Sequence, residues 1–371
     1  MKLLILIAYF IVLITIGFVC RQKATDVNGF VLGGRSVGPW LTAFAYGTSY
    51  FSAVVFVGYA GQFGWRFGIA ATWAGIGNAL IGSLLAWVIL GRRTRIMTQH
   101  LDSATMPQFF GERFQSNSLK IAASIIIFIF LIPYTASLYN GLSRLFGMAF
   151  HIDYSYALSS WQFLLRFMLS QVGYMATAIN DFIQGIIMSI ALLIVFVFGV
   201  NVAGGFDAVA EHAKSLPGYL TMFTTYDPVS GTEQPYPILN VLSMLAWGLG
   251  YFGMPHVLLR FMAIEDEEKL TLSRRVATTW VVISLAVAVT IGVVGLGMTT
   301  AGELPVLEGS NSETIIVQIA NLLSQHGVIP ALLAGIILAG ILASTMSTAD
   351  SQLLAASSSV SSDLLGSVLK K

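Results

Sequence analysis

Four hydroxyl residues, Ser344, Ser347, Thr348 and Ser351, recur at i, i+3, i+4 and i+7 inside an otherwise apolar run. On an α-helix that spacing gathers them on one stripe. Several neutral or anionic oxygens on one stripe suit a hard cation such as Na+, which takes oxygen ligands as Ca2+ and Mg2+ do. A single hydroxyl in an apolar helix ordinarily bonds back to the preceding turn or across to a neighbouring helix. Four on one stripe, with the acid Asp350 beside them, shift the balance toward ion binding. Asp181, in MATAINDFIQG, is the other acid inside an apolar run. A carboxylate within a membrane span marks a functional position by default, whereas at the inner end of a helix it would be an ordinary solvated acid.

The elements that must hold these residues are membrane helices. The chain has 371 residues, 56% hydrophobic and only 10% charged, too little polar surface for a soluble fold of this length. A net charge of +1 offers no basic field for nucleic acid. The single cysteine, Cys20, excludes an intramolecular disulfide and a four-cysteine metal site. Runs long enough to cross about 30 Å of hydrocarbon fall near 3–20, 39–62, 68–90, 119–148, 174–200, 236–259, 276–300 and 327–349. A ninth, 154–172, carries Gln162, Arg166 and Gln171. A compensated pair of frameshifts over about 159–171 would account for these polar residues, because the same bases read out of frame can encode an apolar span; the gene's nucleotides test this.

Basic residues supply an independent count of spans, since they collect in cytoplasmic loops. With nine spans and the N-terminus outside, segments 21–38, 91–120, 260–275 and 366–371 are inside and hold fourteen of the nineteen lysines and arginines. Without the ninth span, Arg260, Arg274, Arg275 and the terminal lysines would move outside, so the charges favour nine. The expected placement is the cytoplasmic membrane, multi-pass, with the C-terminus inside. Residues 1–20 read as a retained peripheral helix rather than a secretion signal, because only Lys2 precedes the apolar run and no small-x-small cleavage site follows. The acidic, Gly/Pro/Ser-rich segments 201–235 and 301–313 read as outer loops. One membrane domain, 1–371, is the simplest partition.

Two spans carry small or helix-breaking residues at their middles, YGTSYFSA (46–53) and WGLGYFGMP (247–255). Either alone reads as a kink or a close packing contact. As a pair they occupy the second and seventh spans, an odd separation that makes them cross in opposite senses, as in an inverted repeat. Matched interruptions in two halves point to a transporter site, where unwound backbone turns carbonyls toward a cation and helix ends toward a charged solute.

GGRSVGPW (33–40), AINDFIQG (178–185), WGLGYFGMPHVLLRFMA (247–263) and STMSTADSQLLAASS (344–358) resemble the sodium:solute symporter family, the last two motifs most closely its sodium/proline members. The resemblance runs from about residue 26 to about 365. It implies an all-α, five-plus-five inverted-repeat fold of about nine helices here, with 39–200 as the first repeat and 236–365 as an incomplete second. Family members continue past the hydroxyl-rich helix by at least two further core spans. The implied activity is Na+-driven import of a small organic solute by alternating access. Carried over by motif, the main sodium site takes the carbonyls of Thr48, Phe51 and Ser344 and the hydroxyls of Ser347 and Thr348. A second cation position, present in some members, falls near Asp181, Asp350 and Ser351. Solute would lie between the breaks against Ser52, Ala53, Tyr134, Trp247 and Tyr251. Proline carriers commonly have an acid and a tryptophan in the first broken helix, where this sequence has Tyr50 and Val54, and a glutamine where it has Met254. Another amino acid is therefore as open as proline.

A competing expectation is a non-transporting remnant or a sensor-like membrane module. An intramembrane enzyme finds no support: His100, His151, His212, His256 and His326 show no paired metal-ligand spacing, and no nucleophile elbow or phosphate loop is present.

Overall fold

A computed structural model describes residues 1–20, 26–51, 61–160, 173–227, 230–307 and 309–369. Helix α1 is Lys2–Cys20. The short α2 (Val27–Leu32) starts where the Asp26 carboxylate accepts the Gly29 N–H and stops at Gly33, whose φ of +60° suits a residue without Cβ. Pro39 opens α3 (Pro39–Tyr50), which ends when Phe51 leaves helical geometry at ψ +56°. α4 (Gly61–His100) is interrupted at Gly68, where φ is +57°. Thr105 and Ser116 cap α5 (Met106–Phe114) and α6 (Asn117–Phe150). α7 is Tyr174–Val202 and α8 Phe206–Ser215.

The outer connection after α8 carries the antiparallel hairpin β1 (Thr224–Asp227) and β2 (Thr232–Pro235), with Thr225 opposite Gln234. α9 (Ile238–Ala246) continues as a tighter 3-10 segment through Trp247–Phe252. α10 (Pro255–Ala263) resumes at a bend of 53°. α11 (Leu270–Thr300), α12 (Ile315–Leu323) and α13 (Val328–Ser358, with a wider-turn extension to Leu365) complete the order.

Six helices among the described residues are long and apolar enough to cross a membrane, or seven if α9 and α10 form one bent span. The two other expected spans, 39–62 and 154–172, run into 52–60 and 161–172, outside the described residues. The frameshift reading lies there too.

The bundle is organised around α13, which packs on α1, α3, α6 and α7. Its residues 337 to 352 are buried without exception. α1 and α6 instead carry rows of exposed apolar side chains, Ile126, Ile129 and Phe130 among them, as lipid-facing helices do. The second break is pressed against α4: a Cβ at Gly248 would land on the backbone of Gly77 and Gly82. Only glycine permits that approach.

One end of the bundle is tied by Arg35. Its guanidinium donates to the carbonyls of Met262, Thr98 and Ser103 and to the Thr98 hydroxyl. Nearby, Arg95 donates to the carbonyls of Ile264 and Glu265, and Val37 pairs with the same segment through the Ala263 carbonyl and the Glu265 N–H. Burial, and next the adjacent Arg95 charge, push the Arg35 guanidinium down to about 10, so it stays cationic at neutral pH. These ties fix the C-terminal end of α10 relative to the start of α3, and so hold the two breaks in register.

Candidate cation and solute site

The end of α3 and the middle of α13 meet. The Ser347 hydroxyl lies 3.3 Å from the Thr48 carbonyl on α3 and 3.3 Å from the Ser344 carbonyl on its own helix. The Thr348 hydroxyl lies 3.3 Å from the Ser344 carbonyl and 3.5 Å from the Ser49 carbonyl. Five oxygens therefore converge, three carbonyls and two hydroxyls, all on residues at most 2% exposed. Helix breakage is what makes this possible. Intact α-helix would direct the Thr48 and Ser49 carbonyls at N–H groups one turn on, and the chain leaves helical geometry at Phe51 instead.

Thr48 and Ser344 contribute carbonyls only, since their hydroxyls are turned back onto the Phe44 and Ile341 carbonyls, at 2.9 and 2.8 Å. Phe51 sits at the break, its N–H donating to the Gly47 carbonyl at 2.7 Å and its ring edge-on to Trp280. Ser49 was not among the residues the sequence singled out. The signal for it is its position between Thr48 and Phe51 in the interrupted stretch.

The second predicted cluster also comes together, around a residue the sequence placed elsewhere. Arg260, counted above as an inner-loop charge, is fully buried on α10. Its Nη2 lies 2.9 Å from Asp181 Oδ2 on α7 and donates at 2.9 Å to the Ser49 hydroxyl. The same nitrogen donates to the Ser351 hydroxyl, and the guanidinium sits 5.1 Å over the Tyr174 ring. Asp350, 4% exposed, adds a second carboxylate within electrostatic reach of Arg260, and its Oδ1 has no hydrogen-bond partner. The overlooked cue was two intramembrane acids with no assigned counter-charge and one arginine embedded in VLLRFMA. Buried charges come paired.

Of the predicted solute contacts, Ser52 and Ala53 lie outside the described residues. Tyr251 is buried and stacks on Tyr50 with ring centroids 3.9 Å apart, its hydroxyl donating to the Tyr50 carbonyl at 3.4 Å. The two breaks thus touch through aromatic rings. Tyr134, partly buried on α6, faces His256 at 6.4 Å. Trp247 meets Phe63 edge-on and lines a cavity of about 600 Å³ with Gln62, Ser137, Arg144 and Glu313. Tyr134 and Tyr251 do not line that cavity.

An α-helical membrane bundle whose two broken segments meet beside a buried oxygen cluster defines the class: a transporter of the broken-helix architecture. The profile of the sodium:solute symporter family matches residues 30–371, and the chain belongs to that family, whose coupling ion is Na+. It is 34% identical over 364 residues to sodium/proline symporter 2 of Staphylococcus saprophyticus, covering 97% of this chain and 67% of that protein. Over 359 residues it is 34% identical to the sodium/proline symporter of Staphylococcus aureus, covering 96% and 66%. The chain thus spans about two thirds of the length of these curated relatives. In three dimensions it is similar to a Na+-coupled sialic acid symporter solved in its substrate-bound, outward-open state, with a TM-score of 0.79 at 17% identity, over 98% of this chain and 74% of that one.

Proposed function

We propose that this chain is the ion-binding part of a Na+-coupled symporter that imports a small organic solute, an amino acid such as proline, across the cytoplasmic membrane by alternating access. In this reading, residues 39–200 form the first repeat and 236–365 part of the second, with the N-terminus outside. Na+ binds among the carbonyls of Thr48, Phe51 and Ser344 and the hydroxyls of Ser347 and Thr348, and the Ser49 carbonyl joins them. Solute lies between the breaks, against Ser52, Ala53, Tyr134, Trp247 and Tyr251.

The observation that carries the reading is the spacing of the oxygens. At 3.3 to 3.5 Å the hydroxyl–carbonyl pairs are longer than ordinary O–H···O bonds. They match the separation of neighbouring ligands around an ion. With metal–oxygen distances of about 2.3–2.6 Å, as for Ca2+, which is close to Na+ in size, oxygens at right angles stand about 3.3–3.7 Å apart. The names of the relatives support proline or a related amino acid, and the chain's Tyr50, stacked on Tyr251, supports a solute that packs against an aromatic wall.

The test is solute uptake into proteoliposomes under an inward Na+ gradient. Uptake of one amino acid from a panel is expected to require the gradient and to vanish when Ser347 and Thr348 are both changed to Ala. Uptake indifferent to both the gradient and the two changes would remove this site from the account.

A further inference from the structure

Neither the ion site nor the solute contacts above use Arg144. It lies on α6, six residues before Phe150 and so about 9 Å from the helix end. It is exposed although α6 is one of the apolar spanning helices. An arginine inside a spanning segment turns toward a partner or a water-filled cavity, because hydrocarbon cannot hold its charge. The cavity of about 600 Å³ beside Trp247 supplies the second. Ser137, Gly141, Arg144 and Met148, at i, i+4, i+7 and i+11, line it as one face of α6. A Cβ added at Gly141 would meet nothing within 4 Å, so that face looks onto open room.

Glu313, in the turn before α12, brings the opposite charge to the same cavity. These two are its only charged lining residues among those described. The ion pairs among the described residues are Arg260 with Asp181 and Lys269 with Glu265, so Arg144 and Glu313 stand more than 4 Å apart and do not neutralise each other by contact. Phe63 and Trp247, edge to face at 6.2 Å, add an aromatic surface, and Trp247 belongs to the second break. The volume suits a small molecule. A separated cation and anion complement a ligand that carries both signs: a simple anion would leave Glu313 beside a like charge, and a simple amine would do the same to Arg144. The rings suit an apolar side chain.

We propose that this cavity is an antechamber that selects a zwitterionic amino acid with an apolar side chain, Arg144 taking the carboxylate and Glu313 the ammonium, before the solute passes Trp247 to the breaks. In the proposed orientation it lies on the outer side. The inference rests on the proposed solute transport and names the class of solute. Tyr134 and Tyr251, which do not line the cavity, belong to the later stage.

The experiment is Na+-driven uptake by the full chain in proteoliposomes, with radioactive L-proline, L-alanine and L-leucine as probes and with the methyl ester and N-acetyl derivative of the transported amino acid as competitors. Arg144→Gln and Glu313→Gln are each expected to raise KM about three- to tenfold, the size of a charged contact in a site that water reaches, with little of the effect in the maximal rate. The competitors should separate the two ends. The ester lacks the carboxylate, so its inhibition is unmoved by Arg144→Gln and weakened by Glu313→Gln; the N-acetyl derivative lacks the ammonium and shows the reverse. A merely structural role would shift both alike. An unchanged KM in both variants, equal shifts of the two competitors, inhibition by neither, or uptake of none of the three probes would overturn the inference. The sodium-site reading is judged separately, by a Na+-induced rise in melting temperature that Ser347→Ala with Thr348→Ala removes; no such rise would sink that reading instead.

Discussion

Two polar regions sit within a few residues of each other on α13 and are built in opposite ways. At Ser347 and Thr348 every group is neutral, and its pairs stand at 3.3 to 3.5 Å. Around Ser351 the groups are formally charged and in close contact, with Arg260 2.9 Å from Asp181. The contrast separates a fixed charge from an exchangeable one. A carboxylate cannot be left bare in a low-dielectric interior, so Asp181 carries its counter-ion as a covalent part of the chain. Carbonyls and hydroxyls can wait without a partner at smaller cost, and loosely spaced neutral oxygens are what an ion that must enter and leave requires.

The largest effect should follow from breaking the fixed pair on one side only. Arg260→Leu leaves the Asp181 and Asp350 carboxylates buried without the guanidinium beside them. A loss of about 3–5 kcal/mol of stability is expected, typical for removing one partner of a buried ion pair. Thermal unfolding of the purified protein in nanodiscs measures it. If Arg260→Leu and the double change Arg260→Leu with Asp181→Ala melt alike, the pair is not what holds this corner, because the double change removes one of the orphaned charges.

A smaller effect, of a different kind, is expected from the neutral region. Replacing Ser347 or Thr348 by Ala removes one oxygen from the proposed ion shell. Hydrogen bonds to charged groups are worth about 1.5–3 kcal/mol, so each change should weaken Na+ binding about tenfold or more. Unfolding in Na+-free buffer should shift by only about 0.5 kcal/mol, because the bonds lost are long. The difference would appear as a Na+-induced rise in melting temperature that the variants lack. A large destabilisation without Na+ would instead make this region structural, like its neighbour.

What the sequence disclosed follows the same division. The stripe of Ser344, Ser347, Thr348 and Ser351 was legible because helical periodicity is local, and the two breaks because glycine and proline mark them. Which helix faces the stripe is not a local property. Thr48 on α3 came through the family resemblance, and Ser49 was missed. Arg260 was misplaced because the positive-inside rule sorts basic residues by neighbourhood, and Glu265 to Lys269 follow it closely. Its partner on α7 is 79 positions away in sequence. Only the unpaired acids Asp181 and Asp350 pointed to it. The stack of Tyr50 on Tyr251 left no trace in pattern at all, since it depends on how closely Gly248 lets the second break approach α4.

The smallest effect sharpens the comparison most, because it separates backbone from side chain within the neutral region. Ser344 and Thr48 are expected to serve through their carbonyls, and their hydroxyls are committed to Ile341 and Phe44 on their own helices. Ser344→Ala and Thr48→Ala keep those carbonyls in place and remove only an intrahelical back-bond, which is worth little. Na+ affinity should therefore change by about twofold or less, within the usual range for a substitution that removes no essential contact. Sodium titration of the two variants beside Ser347→Ala checks this directly. A tenfold loss in Ser344→Ala equal to that in Ser347→Ala would mean that the Ser344 hydroxyl turns inward when the ion binds, and that the shell is assembled by the ion rather than by the break in α3.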